Sequence, residues 1–130
     1  MKLELKHLAP YLQHGLKLTC NMLENPIVLS GLGTDTDTIK KLFIHHSKYT
    51  AWYPIEQFQP ILRPLSDLKS HFDNYRSQIY SDFEFYIKCI KYGEMEHNEY
   101  DWLFENHYDV FGLIENNLAI DINNLTPPKH

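Results

Sequence analysis

Three prolines fall within eleven residues of the stretch YPIEQFQPILRPLSDL, residues 53–68. Each ring removes a backbone donor and drives the residue before it towards extended geometry. No helix interior can run through Pro54, Pro60 and Pro64, so the chain is divided here. Ile55, Phe58, Ile61, Leu62, Leu65 and Leu68 are too many apolar residues to leave in water. A proline-rich peptide ligand would be mostly polar and solvated, and Pro60 and Pro64 lie four apart, off the PxxP spacing. The stretch therefore reads as an edge strand and buried connector that joins two halves of one fold.

The halves differ in character. Residues 1–65 hold seven Lys/Arg against five Asp/Glu, and residues 66–130 hold five against twelve. Aromatics follow the acids, six in the first half and twelve in the second. A nucleic-acid binder carries a basic stripe, and neither half has one, which argues against double-stranded nucleic acid as a partner. With 14% aromatic residues the chain is not of disordered composition. No stretch reaches the roughly 18 apolar residues of a membrane span, and the charged start MKLELKHLAPYL lacks a signal-peptide core. Cys20 and Cys89, 69 residues apart, read as reduced thiols of a cytoplasmic protein.

The first half patterns as short strands. Pro10 ends any helix begun by Leu5 and Leu8, and a helical turn is expected to close near Gly15. Strands are predicted at Leu16–Met22, Ile27–Leu29, Ile39–His45 and Tyr49–Ile55, with GLGTDTDT as a hairpin turn. The second half patterns as helices. Ser66 is a candidate N-cap for a helix over about 67–76. Ser81 and Glu84 have capping-box spacing, and Ile79, Phe83, Tyr86, Ile87 and Ile90 make one apolar stripe that Gly93 terminates. Asn98 is placed to cap a third helix carrying Trp102, Leu103 and Phe104, and Leu113, Ile114 and Leu118 mark a short fourth. The fold class is α+β: a small N-terminal antiparallel sheet or partial barrel packed on three to four C-terminal helices. One domain spans 1–130, with a β-rich subregion (1–65), a helical subregion (66–122) and a flexible tail (123–130).

Chemistry-bearing patterns are sparse. His45 and His46 are adjacent and would face opposite sides of a strand, and His97 and His107 lack zinc-site spacing. Gly31 and Gly33 lack the third glycine of a dinucleotide fingerprint, and Asp35 and Asp37 supply half of a calcium loop. No metal, cofactor or catalytic residue is assigned, and the reading is non-enzymatic. Two groups point to binding. Trp52, Tyr53 and Arg63 place aromatic rings and a guanidinium around the connector, a combination that can stack a base and pair a phosphate. Tyr100, Trp102, Phe104 and Tyr108 form an acidic, aromatic segment of the kind found at protein interfaces.

The strings LAPYLQHGLK (Leu8–Lys17), PILRPLSDL (Pro60–Leu68) and GLIENNLAIDIN (Gly112–Asn123) together resemble a family of small uncharacterised phage and prophage proteins. Asn116-Asn117 replaces the Lys-Gly type of pair expected before LAIDIN, and Asn tolerates the same left-handed cap. The resemblance implies a mobile-element origin and a life in the cytoplasm of an infected bacterium. The expected role is an accessory protein that binds a host or phage protein in counter-defence, with a homodimer as one arrangement open to it. The alternative is a sponge for a small nucleotide signal held by Trp52, Tyr53 and Arg63.

Overall fold

The computed structural model describes residues 2–20, 25–34, 40–45 and 50–125. It is an α+β fold whose described strands, β1 (Lys17–Thr19), β2 (Ile27–Thr34), β3 (Lys40–His45), β4 (Thr50–Pro54), β5 (Gln59–Leu62) and β6 (Ile120–Asp121), form one sheet in the order β4-β3-β2-β1-β5-β6. The chain opens with helix α1 (Leu5–Leu8), which tightens into a 3-10 turn over Ala9–His14. Pro10 sits in the first turn of that segment, where its missing N–H costs nothing. Gly15, at φ 67°, ends it as expected.

β1 (Lys17–Thr19), β2 (Ile27–Thr34), β3 (Lys40–His45) and β4 (Thr50–Pro54) follow as antiparallel neighbours. In β2 the side chains alternate, with Ile27 and Leu29 buried and Val28 exposed, the signature of a half-buried strand. The register against β3 then slips between Leu29 and Gly31, a bulge. Gly31 and Gly33 therefore belong to a strand, opposite Phe43 and Lys41, and not to the hairpin turn predicted from GLGTDTDT. A glycine in a strand marks such a bend. The turn itself, at 35–39, lies outside the described residues.

The bend has a global consequence. β4 and β5 (Gln59–Leu62) stand four places apart in the sheet, about 19 Å if it were flat. Yet only a 3-10 turn, Ile55–Gln57, and Phe58 separate them in the chain. Such a turn rises about 2 Å per residue, so the sheet has to curl towards a partial barrel.

The proline connector is not the edge strand expected of it. β5 pairs with β1 on one side (Leu18↔Pro60) and runs parallel to β6 (Ile120–Asp121) on the other (Ile61↔Ile120). Pairing with β6 starts one residue past Pro60, where backbone donors resume. The C-terminal segment thus returns to the first half, and Leu113 and Ala119 are buried in the sheet's core beside Leu18 and Leu62.

After Pro64 the chain changes helix type twice in twelve residues. It runs as 3-10 over Leu65–Leu68, α-helix α2 over Lys69–His71 and π-helix over Phe72–Arg76. Pro64, not Ser66, occupies the N-cap, while Asp67 sits in the first turn as expected. Helix α3 (Phe83–Lys91) is capped by Asp82, whose carboxylate accepts from Phe85 N at 2.8 Å, and not by Ser81. Gly93 follows it at φ 75°. Ile79 falls outside the helix and is exposed. Helix α4 (His97–Glu105) starts after Glu96, two residues before the cap predicted at Asn98. The fourth helix expected around Leu113–Leu118 is a run of turns, with Asn117 at φ 60°, the left-handed geometry foreseen for that position. A second core lies here, built from Leu65, Leu68, Phe72, Tyr86, Ile90 and Leu103, and Phe104 packs against both cores.

Candidate functional site

Three pieces of chain that the proline connector brings together enclose an open cleft of about 460 Å³. Pro64 and Leu65 form one wall and α3 the second. The turn from Asp109 to Glu115 closes the third side. On α3, Phe83 and Ile87 lie four residues apart and so share a face. Both are partly buried against the helical core and form an apolar floor with Leu65 and Ile114. Around them stand Glu84, Lys88, Lys91 and Glu115. Lys91 Nζ reaches Glu115 Oε1 at 3.6 Å, an exposed pair that closes part of the rim.

The third wall is held by a buried carboxylate. Asp109 is 4% exposed and accepts from Leu113 N at 2.8 Å and Ile114 N at 2.9 Å. Burial pushes its acid up from the ordinary carboxylate range, and those two amides pull it partly back. Both Asp109 oxygens are thus committed to shaping the turn. The wall is anchored from below as well. Arg63 N donates to His107 O and Asp109 N to Arg63 O, each at 2.8 Å, in an isolated bridge between Arg63 and Tyr108. The Tyr11 hydroxyl donates to Tyr108 O, and His107 Nε2 donates to His14 O at 2.6 Å.

The cleft has the size of small-ligand or peptide sites, roughly 300–1,000 Å³. Its rim carries both signs of charge over an apolar floor. That combination suits an amphipathic polypeptide segment better than a phosphate, which would meet Glu84 and Glu115 as well as the lysines. On the outer side of α3, away from the cleft, Phe85 and Tyr92, seven residues apart, are 46% and 75% exposed.

The residues singled out in the sequence land elsewhere. Trp52 pairs with Phe43 in β4, and its side chain lies outside the described part. Tyr53 packs edge-on against Phe58 at 6.0 Å, ahead of β5. Arg63 is exposed beyond the opposite end of β5, about 13 Å along the strand from Gln59. Tyr53 and Arg63 are not brought together. The interface group is turned inward. Trp102 is stacked between His71 and Tyr108, at 4.2 and 5.7 Å, and Tyr108 is buried. Tyr100 donates to Ile90 O at 2.8 Å, and Phe104 meets Tyr11 edge-on at 5.0 Å. These four side chains join α4 to its neighbours.

Sequence reasoning missed Glu84, Lys88, Lys91 and Glu115. A signal for three of them was present, since Glu84, Lys88 and Lys91 recur at i, i+4 and i+7 beside the stripe that Phe83 and Ile87 define. Among the described residues no group of three or more His, Cys, Asp or Glu side chains is gathered for a metal, and no helix is long and apolar enough to cross a membrane. Compared with protein-family models, curated proteins and solved structures, the chain matches none of them.

Proposed function

We propose that the protein acts by binding another protein, through the cleft between the connector, α3 and the Asp109–Glu115 turn. In the setting implied by the sequence resemblance, it is a non-enzymatic phage or prophage accessory protein and its partner is a host or phage protein. One observation carries the reading. The apolar floor of Leu65, Phe83, Ile87 and Ile114 opens to solvent inside a rim of mixed charge. Aromatic anchors ringed by polar side chains are the anatomy of energetically concentrated interfaces. The nucleotide-sponge reading rested on an aromatic–guanidinium pocket, and Tyr53 and Arg63 stand at opposite ends of β5.

The test is a comparison of captured species. Tagged wild-type protein, a Lys88→Glu/Lys91→Glu variant and Arg63→Ala are each incubated with lysate of phage-infected cells and with a panel of nucleotides. The expected result is one protein species retained by wild type and Arg63→Ala and lost from the cleft variant. Equal capture by the cleft variant refutes the site. A nucleotide retained by wild type and lost in Arg63→Ala would overturn the reading altogether.

A further inference from the structure

The other face of α3 from the cleft carries a second constellation, buried and independent of it. Where the helical segment widens into its π turn, His71 and Arg76 reach towards α3 and α4. Arg76 Nη2 pairs with Glu99 Oε1 of α4 at 2.5 Å, the two side chains 25% and 17% exposed. The His71 ring lies nearly parallel to Trp102, at 18°. From α3, Tyr86 enters fully buried, with Phe72 at 5.5 Å and Tyr80 at 5.0 Å around it. The charges of Arg76 and Glu99 act on both the His71 ring and the Tyr86 hydroxyl, so each of those two groups neighbours the ion pair.

Four buried polar atoms here have no hydrogen-bonding partner among the described residues: His71 Nε2, Arg76 Nε, Tyr86 Oη and Glu99 Oε2. Unpaired buried polar atoms are few in native proteins. Four in one cluster, from three separate elements, indicate a shared guest. Their chemistry limits what it can be. Arg76 Nε–H can only donate and Glu99 Oε2 can only accept, while Tyr86 and His71 can each do either. Arg76 and Glu99 already neutralise one another. An anion would face the free Glu99 oxygen, and a cation would face the guanidinium.

We propose that His71, Arg76, Tyr86 and Glu99 form an internal site for one water molecule, which ties the π turn, α3 and α4 together. Water brings two donors and two acceptors in a tetrahedral array, and buried waters in proteins make about three hydrogen bonds on average. It accepts from Arg76 Nε and donates to Glu99 Oε2. His71 and Tyr86 take the remaining hydrogen and lone pair. Burial lowers the His71 imidazole below its ordinary range, which favours the neutral ring with one nitrogen free to accept.

A high-resolution crystal structure of the full chain tests the site, together with one of Tyr86→Phe, a change that keeps the ring and removes only the hydroxyl. In the wild type a density peak is expected about 2.7–3.2 Å from at least three of the four atoms. In Tyr86→Phe that peak weakens, moves or disappears. The proposal is overturned if the four side chains bond directly to one another with no peak between them. An identical, undiminished peak in Tyr86→Phe likewise removes Tyr86 from the site and defeats it.

Discussion

Two buried polar groups in this fold are built on opposite terms. At the junction of sheet and helices, His7, Tyr11 and Asp109 are saturated by backbone. His7 Nδ1 accepts from Glu4 N at 3.0 Å, Tyr11 donates to Tyr108 O, and Asp109 takes two amides. Among the helices, His71, Arg76, Tyr86 and Glu99 share one ion pair and leave four atoms without a partner among the described residues. The junction joins residues about a hundred positions apart, and main-chain partners fix its geometry. The helical cluster joins side chain to side chain, so its geometry depends on rotamers and on what lies between them. The first should behave as a rivet and the second as an adjustable clasp.

Replacing the rivet's centre is expected to have the largest effect. Asp109→Ala strands two buried amides and frees the turn that walls the cleft. Charge-assisted hydrogen bonds are worth about 1.5–3 kcal/mol each, so a loss of about 3 kcal/mol is expected after allowing for relief of the buried charge. A shifted urea midpoint at unchanged slope measures it, and a loss under about 1 kcal/mol would show the turn to be held by other contacts. Glu99→Ala comes next. It leaves Arg76 unpaired in a site between fully buried and exposed, and the expected cost is about 2 kcal/mol.

The sharpest contrast comes from one substitution made in both regions. Tyr11→Phe removes the donor to Tyr108 O in a fully buried setting and should cost about 1–2 kcal/mol. Tyr86→Phe removes a hydroxyl that has no partner among the described residues, and should cost less than about 1 kcal/mol. Equal losses at the two sites would erase the distinction between rivet and clasp.

Much of the architecture was legible because it rests on local chemistry. Pro54, Pro60 and Pro64 divide strands from helices, Gly15 and Gly93 stop their segments, and Phe83, Tyr86, Ile87 and Ile90 declare a helix. What escaped notice depends on distant partners. β6 is two residues long and exists only because Ile61 and Leu62 lie beside it, so no window of sequence announces it, and the sequence alone makes β5 an edge. Asp82 and Ser81 are both good caps, and the competition between them is settled by geometry. The aromatics of α4 suit an interface or a core equally, because composition cannot distinguish a wet Trp from one stacked between His71 and Tyr108. Arg63 drew attention as one of two arginines, while the other, Arg76, is the one held in a buried constellation.

The smallest effect separates the regions by proton linkage. Burial lowers both His7 and His71, so each binds its proton more weakly folded than unfolded. Their contribution to stability is fully present above the unfolded value of about 6.5. It is lost as pH falls below that value towards the lowered folded one, because the unfolded chain takes up more protons there. Around His71 the charged neighbours oppose each other, Arg76 lowering and Glu99 raising. Around His7, Glu4 and Asp109 both favour the charged ring against burial and Lys6. Asp109 has the opposite linkage. Its folded pKa is raised, so acidification through that value stabilises the fold and partly offsets the His7 loss in the same junction. Urea midpoints followed from pH 7.5 to about pH 4.5 should therefore decline below about 6.5. His71→Gln should flatten that decline. Asp109→Asn should steepen it at the acid end, since the compensating proton is gone. A decline unchanged in both variants would mean that neither cluster governs the acid response, and the comparison between them would have no bearing on pH.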